Sequence, residues 1–175
     1  AVHYPLPAAV DAPKPGRPLA LATDEYGAIG LVLHADGLFE SFHVASGRLL
    51  EARQVELGPT PVTAFARTPR GGHLILGFAD GSVRFGQLDL TSSVLRADAL
   101  PPGLEALPTG ERTDGRAVYA EIPGGDWRRV VPILELQESQ PLSPSGRPIV
   151  AVDVRVGGSA ERPGRSFVGV DEAGA

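Results

Sequence analysis

The sequence contains no cysteine, no methionine and a single tryptophan among its 175 residues. Without cysteine the chain has no disulfide framework, no thiolate metal site and no cysteine nucleophile. Its longest apolar runs, such as AIGLVL and VVPIL, are far shorter than the ~20 residues that span a bilayer. The amino terminus also lacks the hydrophobic region of a signal peptide. Because methionine is absent even at the first position, we expect the chain to be a piece of a longer protein.

Charge and composition narrow the class of protein further. The formal net charge is −5, and no segment accumulates a lysine- or arginine-rich run. The sequence therefore offers no electrostatic footprint for nucleic acid or an anionic membrane surface. Gly 22 and Pro 17 together exceed one residue in five, which favours many short elements joined by turns over long helices.

What the sequence does contain is a repeat. The stretch HLILGFADGSVRFGQLDL has two alternating apolar runs joined by Asp80 and Gly81, and such a pair predicts a hairpin because the turn requires positive φ. Asp36 and Gly37 form the same pair 44 residues earlier, and the match extends without gaps. Asp36, Gly37, Asp80 and Gly81 are therefore predicted structural turn residues.

Each of these two copies predicts four antiparallel strands. The expected turns after the first strand contain Gly27 or Gly71, and the expected polar turns before the fourth strand are ASG at 45–47 and LTSS at 90–93. A four-stranded unit that recurs about every 40 to 45 residues is typical of β-propeller blades, which bury their faces by stacking on one another.

A third, diverged copy follows near the end of the chain. PIVAVDV from Pro148 matches PVTAFAR from Pro61 at an offset of 87, and FVGVDEAG from Phe167 matches LILGFADG from Leu74 at an offset of 93. We expect the extra residues to lie in a turn, GGSAERPG at 157–164, with its glycines as turn residues. The chain stops where the next hairpin should turn back, so this blade is predicted to be truncated.

The fold prediction is all-β: a partial β-propeller with two four-stranded blades, a truncated third blade and an irregular strand insert. In the insert, RAVYAEIP and RRVVPILELQ predict strands, and Pro132 places the second of them at an edge or bulge. The predicted segments are a proline-rich lead-in at 1–18, blades at 19–57 and 58–98, the loop and strand insert at 99–147, and the truncated blade at 148–175.

The residues that could carry chemistry give no catalytic or metal pattern, so no cofactor and no metal is expected. His3, His34, His43 and His73 include no pair at a metal-ligand spacing. We expect His34 and His43 to lie in strands and His73 to begin one. Serine does not occur in a nucleophile elbow.

Two acidic pairs, Asp24-Glu25 and Asp171-Glu172, suggest carboxylate or calcium sites at first sight. Adjacent strand residues point to opposite faces, so neither pair converges on one ligand. Both pairs are therefore predicted to be solvated turn residues at strand ends.

PGGDWRR at 123–129 has the character of a protein interface. Trp127, Arg128 and Arg129 follow a glycine-rich turn, and tryptophan and arginine are enriched among residues that dominate binding energy. The alternative is that Trp127 is buried in the core.

Two family resemblances follow from these motifs. DGLFESFHVASGRLL and DGSVRFGQLDLTSSVL resemble WD-repeat blades, although Phe42-His43 and Gly86-Gln87 stand where that family has Trp-Asp. Three longer stretches are similar to the propeller-like domain inserted in long permease subunits of bacterial phosphate ABC transporters. They are LALATDEYGAIGLVLHADGLFESFHVASGRLLE, GGHLILGFADGSVRFGQ and VYAEIP…RRVVPILEL…PSGRPIVAVDV. The similarity covers roughly residues 17–174.

The permease resemblance implies a non-catalytic, extracytoplasmic interaction module of an inner-membrane protein. Its expected partners are proteins of the cell envelope, such as the transporter's own membrane domain or its substrate-binding protein. Exposed strand edges also predict association between copies of the chain. The alternatives are a ligand- or metal-binding propeller of lactonase-like or sugar-binding type, and a small β-sandwich or barrel that binds a ligand.

Overall fold

The computed structural model describes residues 16–68, 72–159 and 162–174, with side chains for 16–68, 72–154 and 167–174. These residues form fourteen β-strands and one short 3-10 turn, Ala97–Ala99, and no α-helix occurs among them. The sheets are antiparallel and none of them is closed. The prediction of an all-β chain is confirmed.

The first sheet contains four consecutive strands in the order β1-β2-β3-β4. Burial alternates along β3, so Phe39, Ser41 and His43 lie on the buried face of the sheet, whereas β2 is buried along nearly its whole length. The strands are β1 (Pro18–Thr23), β2 (Ile29–His34), β3 (Leu38–His43) and β4 (Arg48–Gln54).

The second sheet combines the second copy of the repeat with the insert. Its strand order is β5-β6-β7-β11-β10-β9-β8, and β12 pairs with β7. The strands are β5 (Val62–Arg67), β6 (His73–Phe78), β7 (Ser82–Leu95), β8 (Glu105–Ala106), β9 (Arg112–Thr113), β10 (Val118–Glu121), β11 (Trp127–Leu136) and β12 (Gln140–Pro141). The insert thus adds strands to an existing sheet, and Pro132 lies beyond the stretch of β11 that pairs with β10.

The third copy is a two-stranded hairpin of β13 (Ile149–Ser159) and β14 (Arg162–Asp171). It shares its register with the other two copies. In each copy the pairing of the first strand with the second shifts by one residue after the first pair. The shift lies between Pro18 and Ala20 in the first copy, Val62 and Ala64 in the second, and Ile149 and Ala151 in the third. The sequence offsets between the copies are therefore structural equivalences.

Two turn predictions are wrong. β7 continues through 90–93 without a turn, because β11 continues the sheet beside it and the β-branched residues Thr91 and Val94 suit a strand. A separate fourth strand of the second copy is therefore replaced by a strand of the insert. In the third copy Gly157, Gly158 and Ser159 end β13 and 162–164 begin β14. The described part of the extra segment therefore lengthens the strands, and Gly157 and Gly158 are not turn glycines.

The chain divides into two compact units. The first contains the described residues of 1–34, 38–55 and 90–133, and the second those of 35–37, 56–89 and 134–175. A core cluster in the first unit consists of Ala117, Tyr119 and Trp127. In the second unit β13 packs on β5 and β6, and the core there consists of Ala64, Ile75, Val83, Ile149 and Val154.

Candidate interaction surface

Trp127 is the first residue of β11 and is buried, with 8% of its surface exposed. It packs in the core cluster of the first unit, and the guanidinium carbon of Arg112 lies 5.1 Å from the centre of its ring. Trp127 is thus buried in the core, which was the alternative to an interface role. The interface interpretation is therefore not supported for this side chain.

Arg128 points to the opposite side of β11, as strand alternation requires. Its guanidinium carbon lies 3.4 Å from the centre of the Tyr26 ring. Tyr26 keeps 52% of its surface exposed and Arg128 is half-buried, so an exposed aromatic ring lies over a partly covered guanidinium group. A cation at this distance from a ring face is attracted by the ring quadrupole.

The turn that carries Tyr26 is held by the aspartate before it. Asp24 accepts hydrogen bonds from the backbone amide of Tyr26 at 3.1 Å and of Ile29 at 2.8 Å. Asp24 is thus a structural turn residue, as expected. The hydrogen bond with Glu25 and the negative charge of that residue raise the pKa of Tyr26, and Arg128 opposes them by a smaller amount.

Arg129 belongs to a polar network on the Trp127 side of β11. Its Nε donates to the hydroxyl of Tyr119 at 3.3 Å, and that hydroxyl donates to Asp114 at 2.9 Å. Asp114 also accepts from the backbone amides of Arg116 and Ala117, at 2.9 Å and 2.7 Å. Arg129 therefore makes an internal hydrogen bond and holds β11 on the side that also carries Trp127.

Burial and hydrogen bonding act in opposite directions on Asp114. Desolvation raises its pKa, but the amides of Ala117 and Arg116, the Tyr119 hydroxyl and the charge of Arg129 together lower it below its ordinary value. Desolvation likewise raises the pKa of Tyr119. In this network the ionised carboxylate of Asp114 thus accepts a hydrogen bond from the protonated hydroxyl of Tyr119.

A second polar cluster surrounds His43 at the end of β3. The ring is fully buried, its Nδ1 lies 2.7 Å from the Ser46 hydroxyl, and its Nε2 lies 3.4 Å from the Thr109 hydroxyl and 3.9 Å from Glu111. Thr109 also donates to Glu111. The cluster ties the β3–β4 turn to the segment between β8 and β9.

Glu111 connects this cluster with the exposed pair. Desolvation raises its pKa, but the hydrogen bond from Thr109, its own backbone amide and, to a smaller extent, its neighbours His43 and Arg128 bring it below the ordinary value. Glu111 is thus an anion beside Arg128. Nearby, Arg48 donates to Glu105 at 2.6 Å in an exposed ion pair.

The other predicted residues are placed as follows. Asp36 and Gly37 lie in the turn between β2 and β3, and Asp80 and Gly81 in the turn between β6 and β7, with φ of +86° and +80° at the glycines. His34 and His43 are strand residues and His73 begins β6, as predicted. His3 and Gly71 lie outside the described residues.

Asp171 contradicts its prediction as a solvated turn residue. Only 2% of its surface is exposed, and its carboxylate accepts hydrogen bonds from the hydroxyls of Ser143 at 2.7 Å and Ser145 at 3.3 Å, and from the amide of Ala173 at 2.9 Å. Its neighbour Glu172 is exposed, as expected. Asp171 ends β14 where Phe78 ends β6, so the repeat alignment held the signal that this is a core position.

Among the described residues, no group of three or more metal-ligating side chains converges. No protein-family model matches the sequence, and no curated protein matches it significantly. Within the described part of the chain, no helix has the length and apolarity that a membrane crossing requires.

Proposed function

We propose that this chain is a non-catalytic interaction module that binds a protein partner through Tyr26 and Arg128. The observation that carries the proposal is the exposed Tyr26 ring with the Arg128 guanidinium 3.4 Å from its centre. Tyrosine and arginine dominate interface energetics, and a pair held in place before binding loses little conformational entropy.

The surroundings of this pair support a binding role. The two residues beside Arg128 in β11 are held in place. Trp127 packs in the core cluster, and Arg129 is hydrogen-bonded in the Asp114 network. Tyr26 lies in a turn held by Asp24. Glu25 and Glu111 supply negative charge at the rim, so a partner of mixed charge with an apolar centre fits this surface better than a highly charged polymer does.

The finer parts of the proposal come from the sequence resemblance. The module is the start of a propeller-like domain on the extracytoplasmic side of a phosphate-type ABC permease, and its partner is the transporter's membrane domain or substrate-binding protein. The common register of the three copies and the packing of β13 on β5 and β6 support the propeller part.

The proposal is tested by site-specific photo-crosslinking in the native cells. A photoreactive residue at position 26 is compared with one at Phe65, an apolar residue of similar exposure in the second unit. We expect position 26 to crosslink to a subunit or substrate-binding protein of a phosphate transporter, and Arg128→Glu to abolish that product. Equal products from both positions, or none from position 26, contradict the proposal.

A ligand screen separates this function from the ligand-binding alternative. Thermal unfolding is measured with calcium, zinc, inorganic phosphate and a panel of sugars. The interaction module predicts no shift with any of them. A reproducible shift that His43→Gln removes, and Phe65→Ala does not, would instead assign ligand binding to the polar cluster around His43.

A further inference from the structure

The three copies of the repeat share one face, which is covered in two copies and open in the third. In the second copy this stacking face consists of Ala64, Ala66, Ile75 and Gly77, with Thr63 at the irregularity. The hairpin β13–β14 covers it: Ala64 and Ile75 share a core with Ile149, and the Thr63 hydroxyl donates to the Ile149 carbonyl at 2.6 Å.

The same face of the first copy is also buried. The 44-residue offset gives the equivalent residues of the first copy, which are Ala20, Ala22, Leu31 and Leu33. All four of the first-copy residues have at most 7% of their surface exposed.

The equivalent residues of the third copy are exposed. They are Val150, Ala151, Asp153, Val168 and Val170, and the three valines have 50%, 60% and 37% of their surfaces exposed. We name this set the open face. Asp153, its charged member, has a partner within the chain. A row of β-branched residues on an open sheet face is the kind of surface that proteins usually cover.

The interface inside the chain shows what kind of surface covers such a face. In the second unit the covering residues are Ile149, Val152 and Val154 on the reverse side of the third copy. The repeat alignment places Leu21 of the first copy at the position of Val152, and Val32 at that of Gly169. We call the side of β1–β4 that carries Leu21 and Val32 its reverse face. It is equivalent to the side of the third copy that packs on β5 and β6.

That reverse face is partly open, and it combines apolar residues with Glu40, which lies opposite Val32 in the sheet and is hydrogen-bonded to His34. Leu21, which pairs with Val32, has 61% of its surface exposed, and Leu49, which pairs with Phe42, has 39%. Val32 and Phe42 are half-buried. The chain thus has an open face on its third copy and a complementary reverse face on its first.

We propose that two copies of this chain associate head to tail: the reverse face of β1–β4 in one copy covers the open face of β13–β14 in the other. This contact uses valine and leucine residues other than Tyr26 and Arg128. Because the two surfaces differ, the contact is heterologous and each copy contributes a different face to it.

The first experiment is sedimentation velocity over a concentration series of the chain. We expect concentration-dependent association that Val168→Asp weakens about a hundredfold, because burying an unpaired carboxylate in an apolar contact is strongly unfavourable. Leu21→Asp is expected to do the same from the other side. Val94→Asp is the matched control, since Val94 is 64% exposed but lies on neither face.

Mixing the two defective variants tests the head-to-tail geometry. Val168→Asp retains its reverse face and Leu21→Asp retains its open face, so an equimolar mixture is expected to form a dimer although each variant alone stays monomeric. The proposal is overturned if the unmodified chain is monomeric throughout the series. It is equally overturned if Val168→Asp associates normally, or if the mixture does not associate.

Discussion

The two compact units contain the same repeat but hold their hairpins by different interactions. In the second unit one hairpin packs on another through aliphatic side chains, with Ile149 at the centre. The first unit also has an apolar core, and two polar networks add to it: Asp114 with Tyr119 and Arg129 inside the insert, and His43 with Ser46 and Glu111 between the first copy and the insert. Both units thus bury apolar side chains, and the first unit adds two carboxylate networks to that burial.

The difference has a consequence for stability. Apolar packing depends on volume, so a lost methyl group leaves a cavity whatever the pH. A carboxylate network depends on ionisation and weakens in acid. Variants that remove one kind of interaction at a time therefore test whether the two units differ in this way.

The largest effect is expected for Ile149→Ala in the second unit. Ile149 is fully buried against Ala64 and Ile75 and approaches Gly77, where an added Cβ would lie 2.6 Å from an Ile149 methyl carbon. We expect a loss of about 2–5 kcal/mol in the free energy of unfolding, measured by chemical denaturation. Amide hydrogen exchange should increase in β13 and β14.

Val94→Ala is the control for this variant, because Val94 is exposed and its truncation is expected to cost at most about 0.5 kcal/mol. If both variants lose the same stability, the aliphatic packing of β13 on β5 and β6 does not hold the second unit together.

The next largest effect is expected for Gly81→Ala. Gly81 has a φ of +80°, and an added Cβ would lie 2.8 Å from the Arg147 carbonyl oxygen and the Ser143 Cβ. The Gly81 carbonyl also accepts from the amides of Leu142 and Ser143. We expect a loss of about 2–3 kcal/mol, from the left-handed conformation and the weakened hydrogen bonds together.

Gly47→Ala separates these two causes in thermal unfolding. Gly47 has a φ of +67° but open space around it, so its substitution should cost only the conformational strain of about 1–2 kcal/mol. Equal losses for both variants would mean that the 143–147 loop does not pack on the Gly81 turn.

A smaller loss is expected for Asp171→Ala, which places a polar interaction inside the unit held by burial. The change leaves the Ser143 hydroxyl and the Ala173 amide without this acceptor, and we expect a cost of about 1–3 kcal/mol in denaturant unfolding. Glu172→Ala, at the exposed neighbouring position, should change stability by at most about 0.5 kcal/mol. A neutral result for Asp171→Ala would show that its buried bonds are not net stabilising.

The local features of the fold could be predicted from the sequence. Alternation and the Asp-Gly pairs locate the first three strands of each full copy, because a hairpin turn needs residues that accept positive φ and its strands need apolar residues on one face. β1 and β2 have their equivalents in β5 and β6 at the 44-residue offset. The offset alone therefore predicts the register.

What could not be predicted depends on contacts between distant segments. Whether 90–93 turns or continues as a strand is decided by β11, more than thirty residues further along the chain. The repeat alignment locates Asp171 at a core position, but its hydrogen-bond donors Ser143 and Ser145 lie outside its own copy and could not be predicted. The Tyr26–Arg128 pair joins residues about a hundred positions apart, and neither residue shows this in its local pattern.

The smallest effect, and the one specific to the first unit, is expected for Asp114→Asn as a function of pH. The folded pKa of Asp114 lies below its ordinary value of 3.8, so its stabilising contribution is present above pH 3.8 and is lost as the pH falls through the folded pKa. The variant should therefore be less stable than the unmodified chain at pH 7, with the difference shrinking in strongly acidic solution. Asp98→Asn, at an exposed ion pair with Arg96, is the control and should leave stability nearly unchanged. A difference for Asp114→Asn that stays constant from pH 7 to pH 2 would show that the network is held by shape, as the second unit is, and not by charge.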